Sequence, residues 1–195
     1  YAAGARYHMM KYGLTQRQLA AVASKNHTHA ALNPLSHYRT PRSIEEVLAD
    51  RLIAWPLTRA MCAPISDGAA ALVVCSKDAL ARFEPKRAVR VLATILASGV
   101  KHEPGDSEKA VSRLAAVRAF EQAGIGPEDI SVAEVHDATA FGEIKYVEAL
   151  GLCPPGQGGT LAENGTTRLG GRVPVNPSGG LLAKGHPVAA TGAIQ

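Results

Sequence analysis

The chain has 195 residues, 46% hydrophobic and 19% charged, which excludes a disordered or collagen-like polymer and suits one large domain or parts of two. No apolar run reaches the roughly 18 residues of a membrane-spanning helix. The net charge of +4 is uneven: residues 1–88 hold 12 Lys and Arg against 6 Asp and Glu, residues 89–195 hold 9 against 11, and the basic residues are too scattered, with too few aromatics, for a nucleic-acid surface.

Residues 1–30 read as helical. YAAGARYHMMKYG stops on Gly13, and a second helix starts behind Thr15, with Gln18 completing a capping box and Leu19, Val22 and Ala23 on one face. Asn33-Pro34 breaks it. SIEEVLAD (43–50) is a short helix with Ser43 as cap and Glu46 at the capping-box position. Residues 52–75 are irregular, then β-like: Asp67-Gly68 signals a turn before AAALVVCS (69–76), an apolar run suited to a buried strand. SKDALARF is a brief helix, and Lys86-Arg87 marks a polar break taken as a domain boundary, giving domains 1–88 and 89–195.

Beyond the break, AVRVLATILASG (88–99) reads as a strand. A helix is expected from Ser107 to a stop at Gly124, then Pro127, a short strand in ISVAEVHDA (130–138), and a helix over FGEIKYVEALG (141–151). Residues 153–175 read as loop, with Arg172–Val175 extended. Alternating strands and helices indicate an α/β layered fold. The chain opens at Tyr1 inside a helical pattern and closes at Gln195 in a segment ready to become a helix, so it is expected to be a portion of a longer protein with an apolar sheet surface that partners or further residues cover.

Cys62, Cys75 and Cys153 are odd in number and form no CxxC pair, which suggests neither a zinc cluster nor a disulfide framework and fits reduced, buried thiols in a cytoplasmic protein. His27 and His29 form an H-x-H pair, but on a helix positions i and i+2 diverge, so no metal site is expected. Two histidines remain. His136 ends a strand just before a helix, where ligands bind in open α/β sheets. Asp137 is placed to orient that ring or to cap the helix, with capping preferred. His186 is held between Gly185, which permits tight backbone approach, and Pro187, which turns it away from helix; such a mount suits general acid–base work.

Four stretches, in order, resemble one family: LAAVASKNHTHAALNP (19–34), CAPISDGAAALVV (62–74), EVHDATAFGEIKYVEALGLCPPGQGG (134–159) and NPSGGLLAKGHPVAATG (176–192). The third looks like a segment built on a His-Asp-Cys-Phe motif and the fourth like an Asn-x-x-Gly-Gly…Gly-His-Pro motif. Together they resemble the thiolase superfamily, in particular its sterol-carrier-protein-2-type (lipid-transfer-protein) thiolases. The resemblance implies a thiolase-like αβαβα layered fold, of which this chain holds an incomplete portion: the end of the N-terminal domain with its loop region (1–88), and the C-terminal domain without its last elements (89–195).

It also implies an acyl-CoA thiolase or acyltransferase of lipid metabolism, joining or cleaving 3-oxoacyl-CoA. His186 would be the base toward a nucleophilic Cys outside this chain, and His136 an oxyanion-hole histidine. Ser178, Gly179 and Gly180 would line the substrate. Coenzyme A thioester enters as substrate, not as a permanently bound cofactor; the basic first segment suits its phosphates. A homo-oligomer, with or without a small partner subunit, is expected, with no metal and no nucleic acid. Three departures stand out: none of the three cysteines sits in a nucleophile's context, Ala138 stands where the motif has its thiol, and Ala189 replaces a glycine, tolerable at negative φ. Ala138 keeps open a thiolase-fold retro-aldolase acting on a CoA-linked substrate such as a steroid side chain, and a non-catalytic acyl-CoA or lipid-binding subunit.

Overall fold

The computed structural model describes residues 1–83, 88–103 and 105–195. The break expected at Lys86-Arg87 therefore lies outside the described residues. Helix α1 (Ala2–Tyr12) and helix α2 (Gln16–Ala31) form where the caps place them. Gly13 closes α1 with φ 73°, and the Thr15 hydroxyl accepts from the Gln18 amide while the Gln18 side chain accepts from the Thr15 amide. Helix α3 (Ile44–Ala49) carries the same reciprocal pair between Ser43 and Glu46.

A feature the sequence reading left irregular follows: strands β1 (Leu52–Ala54) and β2 (Leu57–Thr58) pair antiparallel around Trp55-Pro56. Its signal is short, three residues and two, below the length at which alternation is recognisable. Helix α4 (Val111–Ala123) begins later than expected, because Ser107–Lys109 form a 3₁₀ turn capped by Asp106; it ends at Gly124 as expected. Helix α5 (Ala140–Ala149) is capped by Thr139. The loop expected over 153–175 contains a six-residue helix, α6 (Gly158–Glu163), whose two glycines hide it from any propensity argument. A π-helical turn (Gly180–Lys184) and the one-turn helix α7 (Thr191–Ile194) finish the described chain.

Helix α2 is the hub. It packs against α3, α5, α6 and the π-turn, and its Leu19, Val22 and Ala23 join Leu57, Met61, Phe141, Ile144 and Leu182 in the main core. A second cluster gathers Val135, Val147, Leu152, Val173 and Val175 beneath α5. Burying each large aliphatic side chain here contributes about 1.5–3 kcal/mol.

The two strands expected at 69–76 and 88–99 are corrected. Neither segment forms a strand, and Leu72 (71% exposed), Val74 (84%) and Leu96 (97%) face outward. A strand is completed by backbone hydrogen bonds to a neighbouring strand, and among the described residues neither segment enters a sheet or a β-bridge; Thr94 donates only to the Gln122 side chain, at 3.4 Å. Cys75 is accordingly exposed, against the expectation of a buried thiol, while Cys62 and Cys153 are partly buried. Among the described residues no helix is long and apolar enough to cross a membrane.

Candidate active site

Three short stretches converge beside α5. Residues 133–139 lie next to 174–176: Ala133 donates to the Pro174 carbonyl, and Asn176 donates back to the Ala133 carbonyl. On the other side, residues 62–65 bridge both histidine-bearing segments. Cys62 pairs with Thr139, Ala63 donates to the Ala138 carbonyl, and Ile65 pairs with His186. The outcome is that His136 and His186, fifty positions apart in sequence, meet with ring centroids 4.9 Å apart and planes at 84°.

A buried polar network holds these stretches in register. Lys25 on α2 sits 2.9 Å from Glu143 Oε1 on α5 and donates to the Val175 carbonyl at 2.6 Å. Asn26 Nδ2 donates to both Asp137 Oδ2 and Glu143 Oε2 at 2.8 Å, and Asn176 Nδ2 donates to the same Glu143 oxygen at 2.8 Å. Asn176 Oδ1 accepts from the Val135 amide, and its carbonyl accepts from His29 Nδ1. Asn176 is the one non-glycine residue with positive φ (54°) among those described, a conformation asparagine tolerates. Ala189 therefore has no positive φ to strain it.

Asp137 is fully buried in this network. Burial first, and the neighbouring Glu143 second, push its carboxyl well above the usual carboxylate range. The expected helix cap is corrected: Thr139 caps α5, accepting from the Gly142 amide at 3.3 Å, whereas Asp137 Oδ1 accepts from the Leu181 amide at 2.7 Å in the π-turn. The hydroxyl of Thr139 is thus occupied by the helix start. Gly180 fits only because it lacks a side chain, since a methyl group there would overlap the Asp137 carboxylate. One carboxylate therefore links the residue next to His136 with the turn that leads to His186.

Ser178 donates from its amide and its hydroxyl to the two oxygens of Glu134, each at 2.9 Å. Gly179 is packed on Ala30 of α2 and Gly180 on Asp137. The close approaches these three residues make are thus to other parts of the chain. Gly185, with φ 113°, turns the backbone against Ser66 and His37, and His186 follows. His186 Nδ1 lies 2.9 Å from Thr191 Oγ1, which lies 3.0 Å from the Pro187 carbonyl. Burial, then the charges of His136 and Lys184, lower the pKa of His186, which favours the neutral ring near pH 7. Lys184 is itself buried, and burial lowers its pKa too.

The remaining candidates fall away from this chemistry. His29 has both ring nitrogens engaged, Nδ1 toward the Asn176 carbonyl and Nε2 by the Leu169 amide. His27 is buried with neither ring nitrogen partnered, and burial together with Arg42 lowers its pKa to about 4. Burial pushes the Cys153 thiol up to about 12 and raises Cys62 as well, the opposite of an activated nucleophile. The sequence reading missed Lys25, Asn26, Glu143 and Asn176. Asn26 carried a signal, since it falls on the same helix face as Leu19, Val22 and Ala23 and so is a polar residue in an apolar stripe.

Residues 100–195 match the thiolase C-terminal domain-like family model. Over the whole chain, the sequence is 40% identical to a benzoylsuccinyl-CoA thiolase subunit from Thauera aromatica and 43% identical to an acetyl-CoA acetyltransferase from Methanothermobacter thermautotrophicus, covering 51% of each. It is 42% identical to sterol carrier protein 2 of Bos taurus over 96% of the chain and 36% of that protein. The chain thus spans about half the length, or less, of these curated relatives. The solved Ltp2-ChsH2(DUF35) aldolase matches 99% of the chain at TM-score 0.78 and 24% identity, with 52% of that chain covered, a likeness of fold. With its motifs in order, its histidine pair assembled and its fold matched from end to end, this chain belongs to the thiolase superfamily and has a portion of the thiolase-like layered fold.

Proposed function

We propose that the protein containing this chain is an acyl-CoA thiolase or acyltransferase, forming or cleaving the carbon–carbon bond of a 3-oxoacyl-CoA. The observation that carries the reading is the His136–His186 pair, brought to 4.9 Å between centroids by segments fifty residues apart. The relatives named as a thiolase subunit and an acetyl-CoA acetyltransferase support the same reaction class. His186 acts as base toward a nucleophilic cysteine supplied from outside these 195 residues. A neutral imidazole takes the thiol proton, and the thiolate left behind is the reactive form. His136 donates to the oxygen on which charge develops as the second thioester is enolised, an interaction worth about 2.7–4 kcal/mol per donor in comparable sites.

The loop Ser178–Gly180 shapes the thioester side of the site through the position it gives the turn behind it. Coenzyme A thioester is the substrate and no cofactor is permanently bound. The protein works as a homo-oligomer in the cytoplasm, with or without a small partner subunit. Ala138 favours one second reading. A methyl group cannot exchange the α-carbon proton, so a thiolase-fold retro-aldolase on a CoA-linked substrate fits the same histidine pair.

The test is CoA-dependent acyl exchange in the full-length protein and its His186→Ala variant. The variant is expected to lose about 10²–10⁴ in rate. Residual activity within about tenfold of the parent overturns the assignment. Exchange absent from the parent, with cleavage of a β-hydroxyacyl-CoA present, selects the second reading.

A further inference from the structure

His186 stands on a loop whose two ends return to one residue. Ahead of it, Ser178 gives Glu134 both its amide and its hydroxyl, each at 2.9 Å. The same hydroxyl accepts from the Gly180 amide at 3.2 Å, so the start of the π-turn is fixed through it. Behind it, α7 is closed by Gln195, whose Nε2 donates to the Val135 carbonyl at 2.8 Å and lies 3.4 Å from Glu134 Oε2. Glu134 lies two residues before His136, and Asp137, one residue after it, holds the Leu181 amide at 2.7 Å. The stretch that carries His136 thus grips the His186 loop on both sides of the ring, and a loop held at both ends keeps few of the conformations open to a free one. The groups that Glu134 receives are an amide, a hydroxyl and a carboxamide, none of them charged. Its part in the clasp is therefore two oxygens at a fixed reach, and a neutral side chain of the same length can fill it.

We propose that Glu134 is a positioning residue whose side chain clasps the loop bearing His186 onto the stretch bearing His136, and so sets the spacing of the two rings. The proposal rests on the roles given to the two histidines above. Proton removal at one ring and charge stabilisation at the other must meet on one bound substrate, and a misplacement of about 1 Å can cost about 10² in rate. Glu134 touches neither ring; it acts through Ser178 on one side of the loop and through Gln195 on the other.

The experiment is NMR of the full-length protein with labelled histidine rings, read without substrate for the cross-peak between ring protons of His136 and His186, whose centroids lie 4.9 Å apart, alongside steady-state acyl exchange. Glu134→Asp keeps the charge but withdraws the oxygens by one methylene, and Glu134→Ala removes them. Both are expected to weaken the cross-peak at least about threefold. Both should lower kcat, about 3- to 30-fold for Asp and about 10- to 100-fold for Ala, with KM within about threefold. Glu134→Gln, neutral at the same reach, is expected to keep the cross-peak and to stay within about threefold of the parent kcat. A folded Asp or Ala variant with the parent's cross-peak or the parent's kcat overturns the proposal. So does the reverse order, Gln impaired and Asp intact, which would make charge and not reach the working feature, and so does a parent without the cross-peak. If Glu134→Ala does not fold, the Asp and Gln variants decide. A cross-peak weakened in Glu134→Asp of a protein with no acyl exchange counts against the thiolase reading alone. Normal exchange with the cross-peak unchanged counts against this proposal alone.

Discussion

The stretch ISVAEVHDA and the stretches AAALVVCS and AVRVLATILASG are similarly apolar, yet only the first is held. Residues 133–139 are bridged on one side by 174–176 and on the other by 62–65, and the side chains behind them enter the core or the buried network. Residues 69–76 and 88–99 enter no sheet or β-bridge among the described residues, leaving Leu72, Val73, Val74, Val89, Val91 and Leu96 exposed. β-structure is a property of a pair of segments, whereas a helix closes its own hydrogen bonds.

The largest effect is expected where the held region is most costly to disturb. Lys25→Met removes the cation of a buried pair and leaves Glu143 with amide donors alone. Losing one partner of a buried ion pair costs about 3–5 kcal/mol, so the urea midpoint should fall sharply at unchanged slope. A loss below about 1 kcal/mol would show that the network does not anchor α2 to α5, and the contrast between the two regions would weaken accordingly.

Next in size is the pH response of the buried helix face. His27 has a folded pKa of about 4 against an ordinary value of 6.5. Above pH 6.5 both states are neutral there and stability is full. Between 6.5 and 4 the unfolded chain binds a proton that the folded chain refuses, so stability falls, by about 3 kcal/mol in all, and levels off below 4. His29, whose pKa is also lowered by burial, adds in the same direction. Urea titrations at pH 7 and pH 4.5 test this. His27→Leu should flatten the difference, and a variant with the parent's full pH dependence would contradict it.

The exposed stretches give the counterpart. In the 195-residue chain, Val74→Ser or Leu96→Ser should change stability by no more than about 0.5 kcal/mol, the range of exposed positions. Leu19→Ala in the core should cost about 2–5 kcal/mol. A loss above about 1.5 kcal/mol at Val74 or Leu96 would show these side chains covered in solution and remove the distinction.

The same distinction explains what could be read in advance. Thr15 with Gln18, Ser43 with Glu46, and the stops at Gly13 and Gly124 are signals within four residues, and each acted as read. The Gly-His-Pro mount of His186 was legible for the same reason. Its meeting with His136, and the bridging of both by residues 62–65, depend on contacts across 50 to over 120 positions, and no local pattern carries them. Asp137 was misread because a residue just before a helix is a natural cap; its burial assigned it to the π-turn instead and left capping to Thr139. The buried network was half visible, as one asparagine in an apolar stripe, but its partners came from two other segments.

The smallest effect expected tests whether the held region also tunes its chemistry. Lys184 lies at the end of the π-turn, and its charge is one of the causes lowering the pKa of His186. Lys184→Met removes that charge, so the His186 pKa should rise. If His186 is the base proposed above, it must be neutral to act, so the acid limb of the kcat/KM profile should then move to higher pH, with the rate at pH 8 nearly unchanged. Were the limb to stay in place while the rate fell at every pH, Lys184 would instead act through binding or packing. Among the described residues its side chain makes one hydrogen bond, at 3.5 Å to the Gly185 carbonyl, too long to define the loop by itself, and the bond its own carbonyl accepts from the His37 amide survives the substitution, so a shift of the limb without loss of fold is the outcome the geometry favours.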